Sequence, residues 1–180
     1  MTHETSLLAL KQQLDRVVTE LTLLSPTHDS STAPKQGRYL LNTDAGIRKG
    51  EAAIGLVLSD PDDHVVETYS GKIQFVETNS EKTGPAKVQQ AEYRALIKGL
   101  ELARRHHIER LRVYLDNQLV VDQINELADV KHPVLVDLRR ETVRLLDRLP
   151  ELAKNPHHRV CWVPRERNKI ADALVRRELY

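Results

Sequence analysis

The stretch RYLLNTDAG, residues 38–46, decides the fold of this chain. Apolar Tyr39, Leu40 and Leu41 lead into Asp44, which predicts a β-strand from the middle of a sheet that ends in an acid. Aspartate is depleted in strands, and a buried carboxylate is costly unless a partner compensates its charge. Asp44 is therefore either a turn residue ahead of Gly46 or one corner of a functional site.

The composition predicts one folded domain with a short appendage. Of the 180 residues 40% are hydrophobic, and 27 Lys plus Arg stand against 26 Asp plus Glu. This balance does not by itself indicate nucleic-acid binding, because the local distribution of charge matters more than the total. The single Cys161 excludes an internal disulfide framework and a cysteine zinc site. No signal peptide or membrane-spanning run is recognisable, so we expect a cytoplasmic protein without a membrane partner.

Residues 1–24 are predicted to contain an N-terminal helix. Leucine or valine recurs at alternating spacings of three and four from Leu7 to Leu24, which is the apolar seam of a short coiled coil. The helix either pairs with a second copy of the chain, giving a homodimer, or docks on its own domain. Residues 25–37 are rich in Pro, Ser, Thr and Gly and are predicted to be a linker. The folded domain is expected to span residues 38–180.

The order of elements in that domain indicates an α/β fold. Three strands in a meander, followed by alternating helices and strands, imply a mixed sheet with helices on its faces. The DPDD sequence between the second and third strands marks a hairpin, and Asn168 is the expected N-cap of the last helix. The strands are predicted at about residues 38–45, 52–59, 64–76, 111–116 and 158–163, and the helices at about 89–107, 117–127, 133–149 and 168–179.

Four carboxylates stand out against this pattern. Asp44 ends the first strand, Asp116 ends the fourth, and Asp172 lies one turn into the last helix. Taken singly, each has an ordinary explanation as a strand-end or first-turn acid. Glu92 is harder to explain, because its neighbours at helical spacing are apolar and it therefore points at the sheet.

The expected topology brings these acids together. The first and fourth strands should be adjacent and parallel by the right-handed crossover rule, which places Asp44 and Asp116 side by side. Open α/β sheets carry their sites at the carboxyl ends of strands. Clustered like charges need compensation, and oxygen-only ligands favour Mg²⁺ or Mn²⁺ over Zn²⁺. The sequence contains neither a Gly-rich phosphate loop nor a Ser/His/Asp motif as an alternative.

These residues resemble type 1 ribonuclease H. The resemblance covers residues 38–179 and rests on NTDAG, AEYRALIKGLELA, YLDNQLVV and WVPRERNKIADAL, in that order and each with its acid in place. The last motif and the compact region 117–132 are most similar to the shorter, archaeal-like branch, which lacks the basic handle of the longer enzymes. The resemblance implies a ribonuclease H-like fold: a five-stranded mixed sheet in the order 3-2-1-4-5, with the second strand antiparallel and helices on both faces.

The resemblance also implies an activity. It is a metal-dependent endoribonuclease activity on the RNA strand of RNA–DNA hybrids, leaving 5′-phosphate and 3′-hydroxyl ends. Recognition would rest on duplex shape and 2′-hydroxyl groups. The catalytic and metal-binding residues would be Asp44, Glu92, Asp116 and Asp172, with two Mg²⁺ or Mn²⁺ ions per active site and Asp44 bridging both. The substrate-binding residues carried over by position are Ala45, Gly46, Gln89, Asn117, Gln118, Arg165, Arg167 and Asn168.

The chain departs from the family pattern around the substrate contacts. The sequence after Asp44 lacks the usual Gly-rich run and its Asn, and Val88 stands where an Asn is common. Asn117 replaces the usual Ser, and the PRER loop has no His, so Arg165 or Arg167 would take over its role. Two alternatives therefore stay open: a catalytically weak or inactive nucleic-acid-binding module of the same fold, and a nuclease acting on RNA duplexes.

Overall fold

The computed structural model describes residues 35–75, 84–155, 157 and 159–180. The helix predicted within residues 1–24, and with it the homodimer, lies outside the described residues and stays a prediction, as does the linker up to residue 34. The elements are β1 Tyr39–Arg48, β2 Glu51–Ser59, β3 Val65–Ile73, α1 Gly84–Arg105, β4 Leu111–Leu115, α2 Gln118–Ile124, α3 Pro133–Leu146, α4 Pro150–Ala153, β5 Cys161–Trp162, a 3₁₀ turn Arg165–Arg167 and α5 Lys169–Leu179.

The five strands form one mixed sheet in the order β3-β2-β1-β4-β5. β2 runs antiparallel to both of its neighbours, whereas β1, β4 and β5 are parallel to one another. The predicted strand order and the antiparallel second strand are thereby confirmed. The β1–β4 ladder ends at the pair Asn42 and Tyr114, so Asp44 projects just beyond it, next to the end of β4.

Helices cover both faces of the sheet, as predicted. α1, with α2 and α3 behind it, packs on the face lined by Leu41, Leu56 and Leu58, all of them fully buried. Each such leucine contributes about 1.5–3 kcal/mol to folding. α5 covers the opposite face, where Leu174 packs on Val57. Gly55 of β2 permits this close approach, because a Cβ atom there would lie 2.5 Å from a main-chain oxygen of α5.

Several predicted boundaries are wrong. α1 begins at Gly84 rather than at residue 89, because Pro85 is tolerated in a first helical turn. α3 begins at Pro133 as predicted but ends at Leu146, before residue 149. Among the described residues, no helix combines the length and the hydropathy that crossing a bilayer requires.

The largest difference is in β5, which has two residues instead of the six predicted for 158–163. Asn125, at the end of α2, accounts for this. Its Oδ1 accepts the main-chain N–H groups of Arg159 and Val160 at 3.0 and 3.1 Å, and its Nδ2 donates to the Val160 carbonyl at 2.8 Å. These backbone groups are therefore unavailable for pairing with β4, and the strand begins only at Cys161.

Candidate active site

Three acids meet at the carboxyl ends of β1 and β4. One carboxylate oxygen from each of Asp44, Glu92 and Asp116 lies within 4.8 Å of the others, and we call these three residues the acid cluster. Asp44 and Glu92 are 3% and 4% exposed, whereas Asp116 is partly exposed. β1 and β4 place the two aspartates side by side, and α1 brings Glu92 to them across the end of the sheet. The structure thus brings together three of the four predicted acids directly.

The electrostatics of the acid cluster are unfavourable for three full negative charges. Burial raises the pKa of Asp44 to about 7, and the charges of Asp116 and Asp172 contribute to that rise. Burial, followed by the charges of Asp44 and Asp116, raises the pKa of Glu92 well above its usual range. Burial also raises the pKa of Asp116, although Arg165 opposes that rise. A bound cation would remove this penalty by compensating the charges.

The donor atoms of the acid cluster fit a divalent cation. Asp44 Oδ2 and Glu92 Oε2 are buried, and neither has a hydrogen-bond partner among the residues that the structure describes. A buried acceptor left without a partner costs about 1–3 kcal/mol, so these two oxygens call for a ligand. All ligand atoms in the acid cluster are carboxylate oxygens, the type that Mg²⁺ and Mn²⁺ prefer.

Asp172 lies beside the acid cluster, but its carboxylate is paired with two arginine side chains. Arg165 Nη2 donates to its Oδ1, and Arg176 Nε contacts its Oδ2 at 2.8 Å. Both carboxylate oxygens therefore face a guanidinium group, although the charge of Asp172 still raises the pKa of Asp44 and Asp116. Arg176 was not identified from the sequence, but its position four residues after Asp172 was an available signal, since that spacing places two helical side chains together.

The predicted substrate residues near α2 make contacts within the protein. Asn117 is the N-cap of α2, where its Oδ1 accepts the Val120 N–H at 3.2 Å, and its side chain opposes the rise that burial causes in the pKa of Glu92. Exposed Gln118 donates to Asp122 at 2.7 Å. Gln89 is partly exposed. Asn117 therefore joins the beginning of α2 to the acid cluster.

Asn168 occupies the N-cap position of α5, as predicted, but its side chain makes no capping hydrogen bond. The side chain is 1% exposed, and its Nδ2 donates to the Thr43 carbonyl at 2.8 Å. Its Oδ1 accepts from Asn42 at 3.2 Å, and the side chain opposes the rise that burial causes in the pKa of Asp116. Asn168 thus connects β1, β4 and α5, a role that depends on tertiary contacts.

The remaining predicted substrate residues differ in their surroundings. The main-chain N–H of Ala45 opposes the rise that burial causes in the pKa of Asp44. A Cβ atom at Gly46 would lie 2.7 Å from Val175, so packing against α5 accounts for this glycine. Arg165 and Arg167 are both exposed in the 3₁₀ turn, and of these two only Arg165 contacts Asp172.

A second acidic group lies in the hairpin between β2 and β3. Asp60, Asp62 and His64 each offer a potential ligand atom within 4.8 Å of the others. Lys35 binds both aspartates, and Asp60 Oδ1 accepts the main-chain N–H groups of Asp62 and His64 at 2.9 and 3.0 Å. These contacts explain why the three side chains lie together, because they stabilise the turn of the hairpin.

A mixed five-stranded sheet in this order, with acids at the ends of its central parallel strands, defines the type 1 ribonuclease H-like class. The sequence pattern of the family described as Reverse transcriptase-like matches residues 42–178. The chain therefore belongs to that family.

Relatives support the same class. Ribonuclease HI from Halobacterium salinarum is 34% identical over 130 residues, which cover 72% of this chain and 57% of that protein. The bifunctional protein Rv2228c of Mycobacterium tuberculosis is 31% identical over 140 residues, or 77% of this chain, and the chain spans only 34% of its length. The chain thus spans about a third to a little over half of the length of these curated relatives.

Solved structures of similar proteins support the same class. The N-terminal RNase H domain of Rv2228c superposes with a TM-score of 0.64 at 28% identity, covering 80% of this chain and 100% of that one. LC11-RNase H1, solved in complex with an RNA/DNA hybrid, gives a TM-score of 0.61 at 27% identity, covering 78% and 96% of the two chains.

Proposed function

We propose that this chain is a metal-dependent ribonuclease H that hydrolyses the RNA strand of RNA–DNA hybrids. The observation that carries the proposal is the acid cluster, with its two unpartnered buried oxygens, at the end of a ribonuclease H-like sheet. The name of the halobacterial relative and the hybrid bound to LC11-RNase H1 support the choice of substrate.

The acids would hold two Mg²⁺ or Mn²⁺ ions. Asp44, Glu92, Asp116 and Asp172 would hold them, with Asp44 shared between the two ions, since its carboxylate lies with those of Glu92 and Asp116 and also responds to the charge of Asp172. Bound ions would activate water for in-line attack on the phosphate and stabilise the leaving oxygen. Cleavage would leave 5′-phosphate and 3′-hydroxyl ends.

The residues around the acids would orient them and contact the substrate. Asn117 would orient the carboxylate of Glu92 and Asn168 that of Asp116, since each amide opposes the rise that burial causes in the pKa of its acid. The exposed guanidinium groups of Arg165 and Arg167 are available to phosphates at the edge of the site. Contacts from Ala45, Gly46, Gln89, Asn117, Gln118 and Asn168 to the hybrid belong to the same proposal.

Cleavage assays test the proposal directly. Labelled hybrid, RNA duplex and DNA duplex of one sequence are incubated with the full chain in a series of Mg²⁺ and Mn²⁺ concentrations. We expect cleavage of the hybrid RNA strand, its loss in Asp116→Asn, and normal cleavage by Asp129→Asn, which changes an exposed acid outside the acid cluster.

Three other results would redirect the proposal. Binding of the hybrid without cleavage in any metal would favour an inactive binding module of the same fold. Equal cleavage of the RNA duplex would favour a broader ribonuclease. Full activity of Asp116→Asn would refute the assigned site.

A further inference from the structure

The indole of Trp162 is hydrogen-bonded to the strand that carries Asp116. Trp162 lies on β5 and pairs in parallel with Leu115, the last residue of β4. Its Nε1–H donates to the main-chain oxygen of Asp116 at 3.1 Å, and the next residue, Val163, donates its N–H to the Leu115 oxygen at 2.8 Å. Two successive carbonyls at the end of β4 are therefore held by the edge strand.

The carbonyl that Trp162 holds belongs to a peptide group that joins two residues of the site. Asp116 follows the last residue of β4 and contributes to the acid cluster, and Asn117 caps α2 and opposes the rise that burial causes in the pKa of Glu92. The orientation of this peptide group is set by ψ of Asp116 and φ of Asn117, and these two angles also set where the two side chains lie relative to one another. The indole hydrogen bond restrains that orientation.

Packing alone does not account for a tryptophan at this edge. The side chain is 47% exposed, so much of the free energy that its burial would supply is not gained. A phenylalanine would offer a similar apolar face, but it has no N–H group to donate to the carbonyl of Asp116.

We propose that Trp162 is a positioning residue, whose indole N–H holds the Asp116–Asn117 peptide in the orientation that lets the acid cluster bind a divalent cation. The proposal rests on the proposed function only where cleavage is the readout. Metal binding in the absence of nucleic acid tests it independently.

Trp162→Phe removes the donor and keeps an aromatic ring. Titration calorimetry of the full chain with Mn²⁺ should show affinity reduced about tenfold, the lower end of the loss expected when a partner of a metal ligand is removed. Tyr69→Phe is the matched control, because Tyr69 is an exposed aromatic residue with a polar group on β3, at the opposite edge of the sheet. The control should bind Mn²⁺ like the wild type. Equal affinity in Trp162→Phe and the wild type would overturn the proposal.

Kinetics separate positioning from direct contact. If the hybrid is cleaved, Trp162→Phe should lower kcat about tenfold at a Mn²⁺ concentration below the dissociation constant of the wild type and leave KM for the hybrid unchanged. A raised KM with unchanged kcat would instead assign Trp162 to substrate binding and refute a positioning role. Absence of cleavage by the wild type would count against the proposed function and would leave the calorimetric comparison valid.

The wild-type chain provides a second test that needs no variant at Trp162. This is the only tryptophan, so tryptophan emission reports its indole alone. Coupling is reciprocal: if the indole hydrogen bond strengthens metal binding, metal binding strengthens that hydrogen bond by the same factor. Tryptophan emission should therefore change during a Mn²⁺ titration, and the midpoint of that change should equal the midpoint measured by calorimetry. Asp116→Asn should abolish the change. Constant emission up to saturating Mn²⁺ would overturn the proposal, even if Trp162→Phe does not fold.

Discussion

Replacing Asp44 with asparagine should stabilise the metal-free protein while abolishing the proposed cleavage activity. Asp44 is 3% exposed and lies among other acids, so its ionised form is disfavoured in the folded state. Asparagine has nearly the same shape, carries no charge, and can donate to a neighbouring carboxylate. The free energy of unfolding should therefore rise in Asp44→Asn, and it should rise most where the wild-type side chain is ionised.

The size of the effect follows from the pKa of Asp44. Folding raises it from 3.8 to about 7, a difference worth about 4 kcal/mol. Because the folded state binds this proton more tightly, the contribution of Asp44 to stability falls as pH increases from about 4 to about 7 and is constant above that range. The gain in Asp44→Asn should be about 4 kcal/mol at pH 8 and about 2 kcal/mol at pH 5.

Urea unfolding in the presence of EDTA, at both pH values, measures this gain. Asp129→Asn removes an exposed acid outside the acid cluster and should change the free energy of unfolding little at either pH. Saturating Mg²⁺ should stabilise the wild type much more than Asp44→Asn, because the variant lacks a charged ligand. A gain that is absent at pH 8, or equal at the two pH values, would refute the electrostatic reasoning.

Three further predictions concern other parts of the domain. Arg165→Ala frees one oxygen of Asp172, so calorimetry should show a divalent cation binding there about fivefold more tightly, as expected for loss of a competing ion pair of about 1 kcal/mol. Arg167→Ala should leave the affinity for the cation unchanged, and weaker binding in Arg165→Ala would contradict the prediction. Gly55→Ala should lower the free energy of unfolding in urea by about 1–3 kcal/mol through its clash with α5; unchanged stability would show that α5 shifts without cost. Asn125→Ala leaves three main-chain groups unpaired and should cost about 3 kcal/mol in the same assay, whereas a loss below about 1 kcal/mol would indicate that water replaces the side chain.

Much of the fold and part of the site were predictable because their signals are local. The periodicity of residues 38–59 and the crossover rule were enough to place the ends of β1 and β4 together, and with them Asp44 and Asp116. Glu92 was recognisable from its apolar neighbours on one helical face. These predictions required only strand alternation, helical spacing and chain topology.

The parts that were not predicted depend on partners far away in sequence. The six-residue strand expected at 158–163 is shortened because Asn125 binds the main chain of Arg159 and Val160, a contact between segments more than 30 residues apart. Asn168 has a residue type and position that favour capping, yet its side chain turns to Thr43 in the neighbouring strand. In both cases a tertiary hydrogen bond replaces the local one that sequence rules predict.

The shortness of β5 also bears on how the molecule avoids aggregation. An exposed strand edge with unpaired N–H and C=O groups can template the addition of a strand from another chain. β5 offers only two residues, and the main-chain N–H groups just before it are already bound to Asn125. This side of the sheet therefore presents almost no template, and Asn125→Ala should promote self-association beside the candidate active site as well as lower stability.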